Sequence, residues 1–270
     1  VNLLVSENVP DLSCFFNGQT LTRRLKPFVL VSDNGPDGTG AGNTLTLDHQ
    51  RISSEFLAPD VIVIDKRMLS GQSALQAAQS AAIAADNAWT AFADPSPAPV
   101  RDAFVRTAFR LISQSLDPAL ASPAGRTHHL AMANAAVVSA IAAANAAPGL
   151  VRVLCEELAK TTRIPRGVLT ALLAPASLER FVEQNGPTRP ELLLAVAGME
   201  VFAATAEDQR PGKAVDMVAG LFDRIQEALN QSLASLRIPF YRIQEACENA
   251  ASRPDAGLRL SDALDLAERA

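Results

Sequence analysis

Residues 149–175 read GLVRVLCEELAKTTRIPRGVLTALLAP, and the fold turns on how that stretch is read. Leu150, Val153, Leu154 and Leu158 recur at steps of three and four, which places them on one buried helical face. A polar break covers Lys160 to Arg163, and Pro165 then opens a second helix through Val168, Leu169, Leu172 and Leu173. Proline suits that first position, because its missing N–H would have no partner there. Arg152 and Arg166 punctuate the unit, and two helices joined by a tight connection bring both toward one crevice.

Working outward, almost everything from Leu69 onward has helical periodicity. Ser73 to Ala93 is an Ala-rich helix. Ser96-Pro97 reads as a cap with proline at the first position of a helix reaching about Ser115. Leu130 to Ala147 is nearly all Ala, Val and Ile; with Asn134, Ser139 and Asn145 inside it, it reads as a central buried helix and not a membrane span. Further helices are expected at Ala176 to Gln184, Pro190 to Ala204, Lys213 to Ser235, Phe240 to Ala251 and Ser261 to Arg269. Pro187, Pro211, Pro239 and Pro254 mark breaks.

The first 68 residues differ. Pro27 to Val31 is a short apolar run ending in the turn-rich SDNGPDGTGAGN, Thr44 to Leu47 reads as a hairpin arm, and Val61 to Ile64 is a β-branched run closed by Asp65. Three strands are too few for an α/β domain, so the sheet is expected to continue in sequence outside this chain.

Of the 270 residues 48% are hydrophobic, with mean hydropathy +0.11, enough for an ample core. A net charge of −5 and pI near 5.3 argue against nucleic acid or an anionic membrane as partner. Cys14, Cys155 and Cys247 lie far apart in no metal spacing and read as buried thiols in a reducing compartment. The opening VNLLVSENVP lacks the regions of a signal peptide, so a cytoplasmic protein is expected.

Gly35 to Gly42, GPDGTGAG, follows a strand, where phosphate-cradling loops occur. It lacks the Lys-Ser/Thr of a P-loop and no clear helix follows, so alone it reads as a surface loop. His128 and His129 are neighbours that point about 100° apart on a helix, unsuited to sharing a metal, and read as a solvated helix start. His49 stands alone. No nucleophile elbow or Cys–His arrangement is visible.

The order of strand, GTG loop, strand ending in Asp and then a helical domain resembles the iron-containing (group III) alcohol dehydrogenase family, which includes the maleylacetate reductases. Gly38-Thr39-Gly40 resembles its TTxGTGSE segment, Pro59 to Asp65 its PDVAIVDP segment, and Ile83 to Phe92 its DAxxHAxEAY helix. Val151 to Cys155 and Ile164 to Gly167 are similar to its His-bearing helix and PHG/PHA turn, and RLSDALDLAERA to its usual ending. The resemblance implies a mainly α protein: residues 69–270 as the all-helical C-terminal domain, and residues 1–68 as the last strands of an α/β nucleotide-binding domain. It implies an oxidoreductase for NAD(P)-linked alcohol/aldehyde interconversion, with Gly38, Thr39 and Gly40 toward the dinucleotide and a homodimer as the expected assembly.

The family's four metal ligands match Ile83, Asn87, Arg152 and Arg166 here. An aliphatic chain has no lone pair and a guanidinium repels cations, so no metal is expected. Ala41 and Gly42 replace the Ser and Glu of GTGSE, and the family's pyrophosphate motif would lie before residue 1. NAD(P) binding is therefore expected of a longer protein and to be weak or absent in residues 1–270. Two classes stay open: an enzyme or small-molecule binder using the cleft without metal, and a catalytically silent relative kept for assembly. The arginines likewise allow two readings. Arg152 pairs with Glu156 one turn along while Arg166 turns away, or both clamp an anionic ligand.

Overall fold

The computed structural model describes residues 2–5, 28–32, 44–47, 50–53, 58–67, 69, 72–96, 98–122, 125–185, 188–253 and 257–270, those before residue 58 as backbone alone. Strands β1 (Asn2–Val5), β2 (Phe28–Ser32) and β5 (Val61–Ile64) pair in parallel in the order β1-β2-β5, while β3 (Thr44–Leu47) and β4 (Gln50–Ser53) form an antiparallel hairpin. The three expected strands are present. β1 and β4 go beyond them; β4, QRIS, holds a single apolar residue, so it has no period to read.

Nine α-helices follow among the described residues: α1 (Ala74–Ala93), α2 (Pro99–Ala121), α3 (Arg126–Ala144), α4 (Leu150–Thr162), α5 (Arg166–Asn185), α6 (Glu191–Ala204), α7 (Arg210–Leu229), α8 (Phe240–Ser252) and α9 (Leu260–Arg269). Helix α1 is the central one. Ser73 and Gln76 form a reciprocal capping box at its start, and fourteen of its twenty residues are buried, as fits a helix apolar on all sides. Helices α2, α3, α5 and α7 all pack on it, and its run of alanines lets them approach closely. Trp89 of α1 meets Phe181 of α5 edge to face, 5.1 Å between centroids.

The central place was expected for the Leu130–Ala147 segment, and this is a correction. Helix α3 is long and apolar enough to cross a membrane by length and composition, but half of that window is buried against its neighbours. Its even alanine distribution gives no amphipathic signal by which to rank it against α1.

Other boundaries move for identifiable reasons. Helix α2 starts at Pro99, not at the Ser96-Pro97 pair, because Asp94 captures the Ser96 amide and hydroxyl, and the buried Arg101 donates to the Ser96 carbonyl at 2.7 Å. Helix α5 runs through Pro175, where a break into two helices was expected. Proline cannot donate to the carbonyl four residues back, and Gln226 of α7 supplies the bond instead, its Nε2 donating to Ala171 O at 3.0 Å. Helix α6 breaks at Gly198 (φ 82°), a conformation only glycine enters readily. Helix α7 stops at Leu229, six residues early, because Asn230 adopts the left-handed conformation that ends helices. The C-terminal helix is held by charge: Arg180 of α5 reaches Asp262 at 2.6 Å and Asp265 at 2.8 Å, both on α9.

Candidate functional site

The site is built on one stripe of α1. Gln79, Ile83, Asp86 and Thr90 recur at steps of four, three and four, which brings them within about 60° of one another around the helix. The two glycines of the opening stretch dock at its ends. A Cβ on Gly167, at the start of α5, would lie 2.5 Å from Gln79 Cβ and 2.9 Å from Gln79 Cα and O. A Cβ on Gly149, the cap of α4, would lie 2.5 Å from Thr90 Oγ1. Both helices thus meet α1 closely at these two points.

Ile83 and Asn87 are buried, one turn apart. Between them Asp86 is 2% exposed and its Oδ2 has no hydrogen-bond partner. Burial pushes the Asp86 carboxyl up to about 7, outweighing the pull of Arg166 and then Arg152, which act on it across space. Arg152 Nε donates to Glu156 Oε1 at 3.1 Å, and Arg253 Nη1 reaches Glu156 Oε2 at 2.8 Å, so Glu156 is shared by two cations. Arg166 Nε is buried and has no hydrogen-bond partner. An unsatisfied buried polar group costs about 1–3 kcal/mol, and Asp86 Oδ2 and Arg166 Nε are two such groups.

Cys155 of α4 completes the neighbourhood. Thr170 Oγ1 donates to its sulfur at 3.6 Å, and burial pushes the thiol up to about 12, so it is no nucleophile at neutral pH. Cys155 and Cys247 are free and buried as expected. Cys14, His49 and the loop Gly38, Thr39 and Gly40 fall outside the described residues. His129 corrects the expectation of a solvated helix start: it is fully buried, and its Nε2 donates to Ser122 O at 3.0 Å across the turn between α2 and α3. A pair of adjacent polar residues carries no sign of which one the fold will cover.

No protein-family model matches the chain. The long-chain-alcohol dehydrogenase 1 of Geobacillus thermodenitrificans is 23% identical over 204 residues, 74% of this chain and 52% of its own length. The chain therefore spans about half the length of that curated relative. Among solved structures, the alcohol dehydrogenase of Oenococcus oeni matches with a TM-score of 0.76 at 20% identity, covering 93% of this chain and 68% of its own. The iron-containing alcohol dehydrogenase of Thermococcus thioreducens gives a TM-score of 0.73 at 18% identity, covering 92% and 65%. The fold is that of the iron-containing alcohol dehydrogenases.

Of the four residues that the resemblance matches to metal ligands, Ile83 and Asn87 are buried on α1 beside Asp86, and Arg152 of α4 and Arg166 of α5 lie near enough to Asp86 to act on its carboxyl. A divalent cation does not fit them. Ile83 has no donor atom, and two guanidinium groups repel the charge, leaving the oxygens of Asn87 and Asp86 where about four ligands are needed. Among the described residues no group of three or more His, Cys, Asp or Glu side chains is arranged to hold a metal. Asp86 itself escaped the sequence reading. A lone acid in an alanine-rich run was the available signal, since burying a carboxylate has to serve some purpose.

Proposed function

We propose that this chain belongs to an alcohol-dehydrogenase-like oxidoreductase whose cleft holds its small-molecule ligand without a bound metal. In this reading residues 69–270 are the helical domain, and residues 1–68 are the end of a nucleotide-binding domain that takes NAD(P) through Gly38, Thr39 and Gly40. The longer protein interconverts alcohol and aldehyde, as a cytoplasmic homodimer. The observation that carries the reading is the cleft itself: two cations occupy the positions that the resemblance gives to metal ligands, and both act on the buried carboxyl of Asp86. Positive charge can polarise a substrate oxygen as a metal would, and a guanidinium does so without being lost to chelation.

The test is aldehyde reduction by the full-length protein with NADH or NADPH, before and after exhaustive treatment with a chelator. Activity that survives chelation is the expected result. Activity that vanishes on chelation and returns with added ferrous or zinc ion overturns the proposal. A protein inactive in every arm is the silent relative.

A further inference from the structure

A cavity of about 640 Å³ is lined from α2, α6 and α7, none of which carries a residue of the cleft. Its size falls among small-molecule sites, which run to about 300–1,000 Å³. The break at Gly198 shapes one wall, residues 194–198 of α6. An unbroken helix would bond the Val196 carbonyl to the Glu200 amide; here Ser113 Oγ of α2 donates to that oxygen at 3.0 Å.

Arg106 and Arg110 line the same cavity from α2. They stand one turn apart on one helix face, so their like charges repel. Both are exposed, and among the described residues neither side chain has an ion pair or hydrogen bond. Asp102, one turn before Arg106, is taken by Arg189 at 2.9 Å. No carboxylate is among the lining residues, although the chain as a whole carries a net charge of −5. Opposite the cations the lining turns apolar, with Leu194 of α6 and Met217 of α7, the second an adaptable, unbranched side chain.

We infer that this cavity binds a small amphiphilic oxoanion. Arg106 and Arg110 hold a carboxylate or phosphate head, and a short alkyl body lies against Leu194 and Met217. Guanidinium forks match either head through paired N–H···O bonds, and an anion between the two offsets their mutual repulsion. A neutral molecule with the same body leaves that repulsion in place. A bare anion forgoes the apolar wall. The site is separate from the cleft and does not depend on whether the cleft holds a metal.

The test is ligand-observed NMR on the whole chain at physiological salt, with hexanoate, hexyl phosphate, the neutral hexanamide, acetate and inorganic phosphate as probes. Saturable binding of hexanoate or hexyl phosphate is expected, about tenfold or more tighter than hexanamide and than the matching bare anion. The tighter of the two amphiphiles identifies the head. Arg106→Gln and Arg110→Gln each weaken that binding by about tenfold, with the unfolding temperature showing that the exposed substitutions keep the fold. Arg126→Gln, at an exposed arginine outside the cavity, leaves the affinity unchanged. Binding that ignores Arg106→Gln and Arg110→Gln places the anion elsewhere, the cleft included, and overturns the inference. Equal affinity for hexanamide or for the bare anions, an equal loss in Arg126→Gln, or no saturable binding overturns it as well.

Discussion

Asp86 is an acid that the fold holds away from water, and its titration is visible in stability. Its carboxyl ionises near 3.8 when exposed and near 7 in the folded chain. Between those values the folded state holds a proton that the unfolded state has released. Stability contributed at this residue is therefore greatest below about pH 4, falls as pH rises through the window, and levels off above about 7. Asp86→Asn removes the titration. The variant is expected to be more stable than the parent at pH 8, by at most about 4 kcal/mol, with the advantage gone near pH 4. Urea unfolding at the two pH values measures this, and an equal difference at both contradicts it. The two arginines were legible as a feature from their spacing in residues 149–175. The acid they act on was not, because only the folded chain reveals that no hydrogen bond reaches its Oδ2.

At the scale of the element, two close approaches place the cleft. Gly167→Ala drives a methyl group into the backbone of α1 at Gln79, where no flexible side-chain end can yield. A loss of about 1–3 kcal/mol is expected, as for overpacked core positions. Gly212→Ala in α7 is the control: nothing lies within 4 Å of its Cβ, and removing glycine from a helix stabilises by about 0.5–1 kcal/mol. Thermal unfolding of both variants gives the signs, and a neutral Gly167→Ala sinks the docking argument. Helices were legible wherever apolar residues recur at three and four, as in Leu150 to Leu158. Their ends were legible only where the cause is local. Pro175 misled because the bond that carries α5 past it comes from Gln226, fifty-one positions away in the chain.

Across the whole molecule, helices α2, α3, α5 and α7 pack on α1, and ion pairs fasten the periphery. Arg269 of α9 bonds both Asp265 and Glu183, adding to the two bonds Arg180 makes there, so the last helix is tied to α5 by a network and not a lone pair. The order and spacing of segments showed the architecture in the sequence, because the packing of helices on a central apolar one tolerates large changes of side chain. Chemistry does not tolerate them, and in the proposed reading the four positions matched to metal ligands change what the cleft can hold.

The most direct test of the central claim is a titration of chelator-treated protein with zinc and with ferrous ion, followed by calorimetry and by the unfolding temperature. The account predicts no saturable site at the cleft and no metal-dependent rise in Tm. One equivalent bound with a clear rise in Tm, both lost in Asp86→Ala and Asn87→Ala, contradicts it.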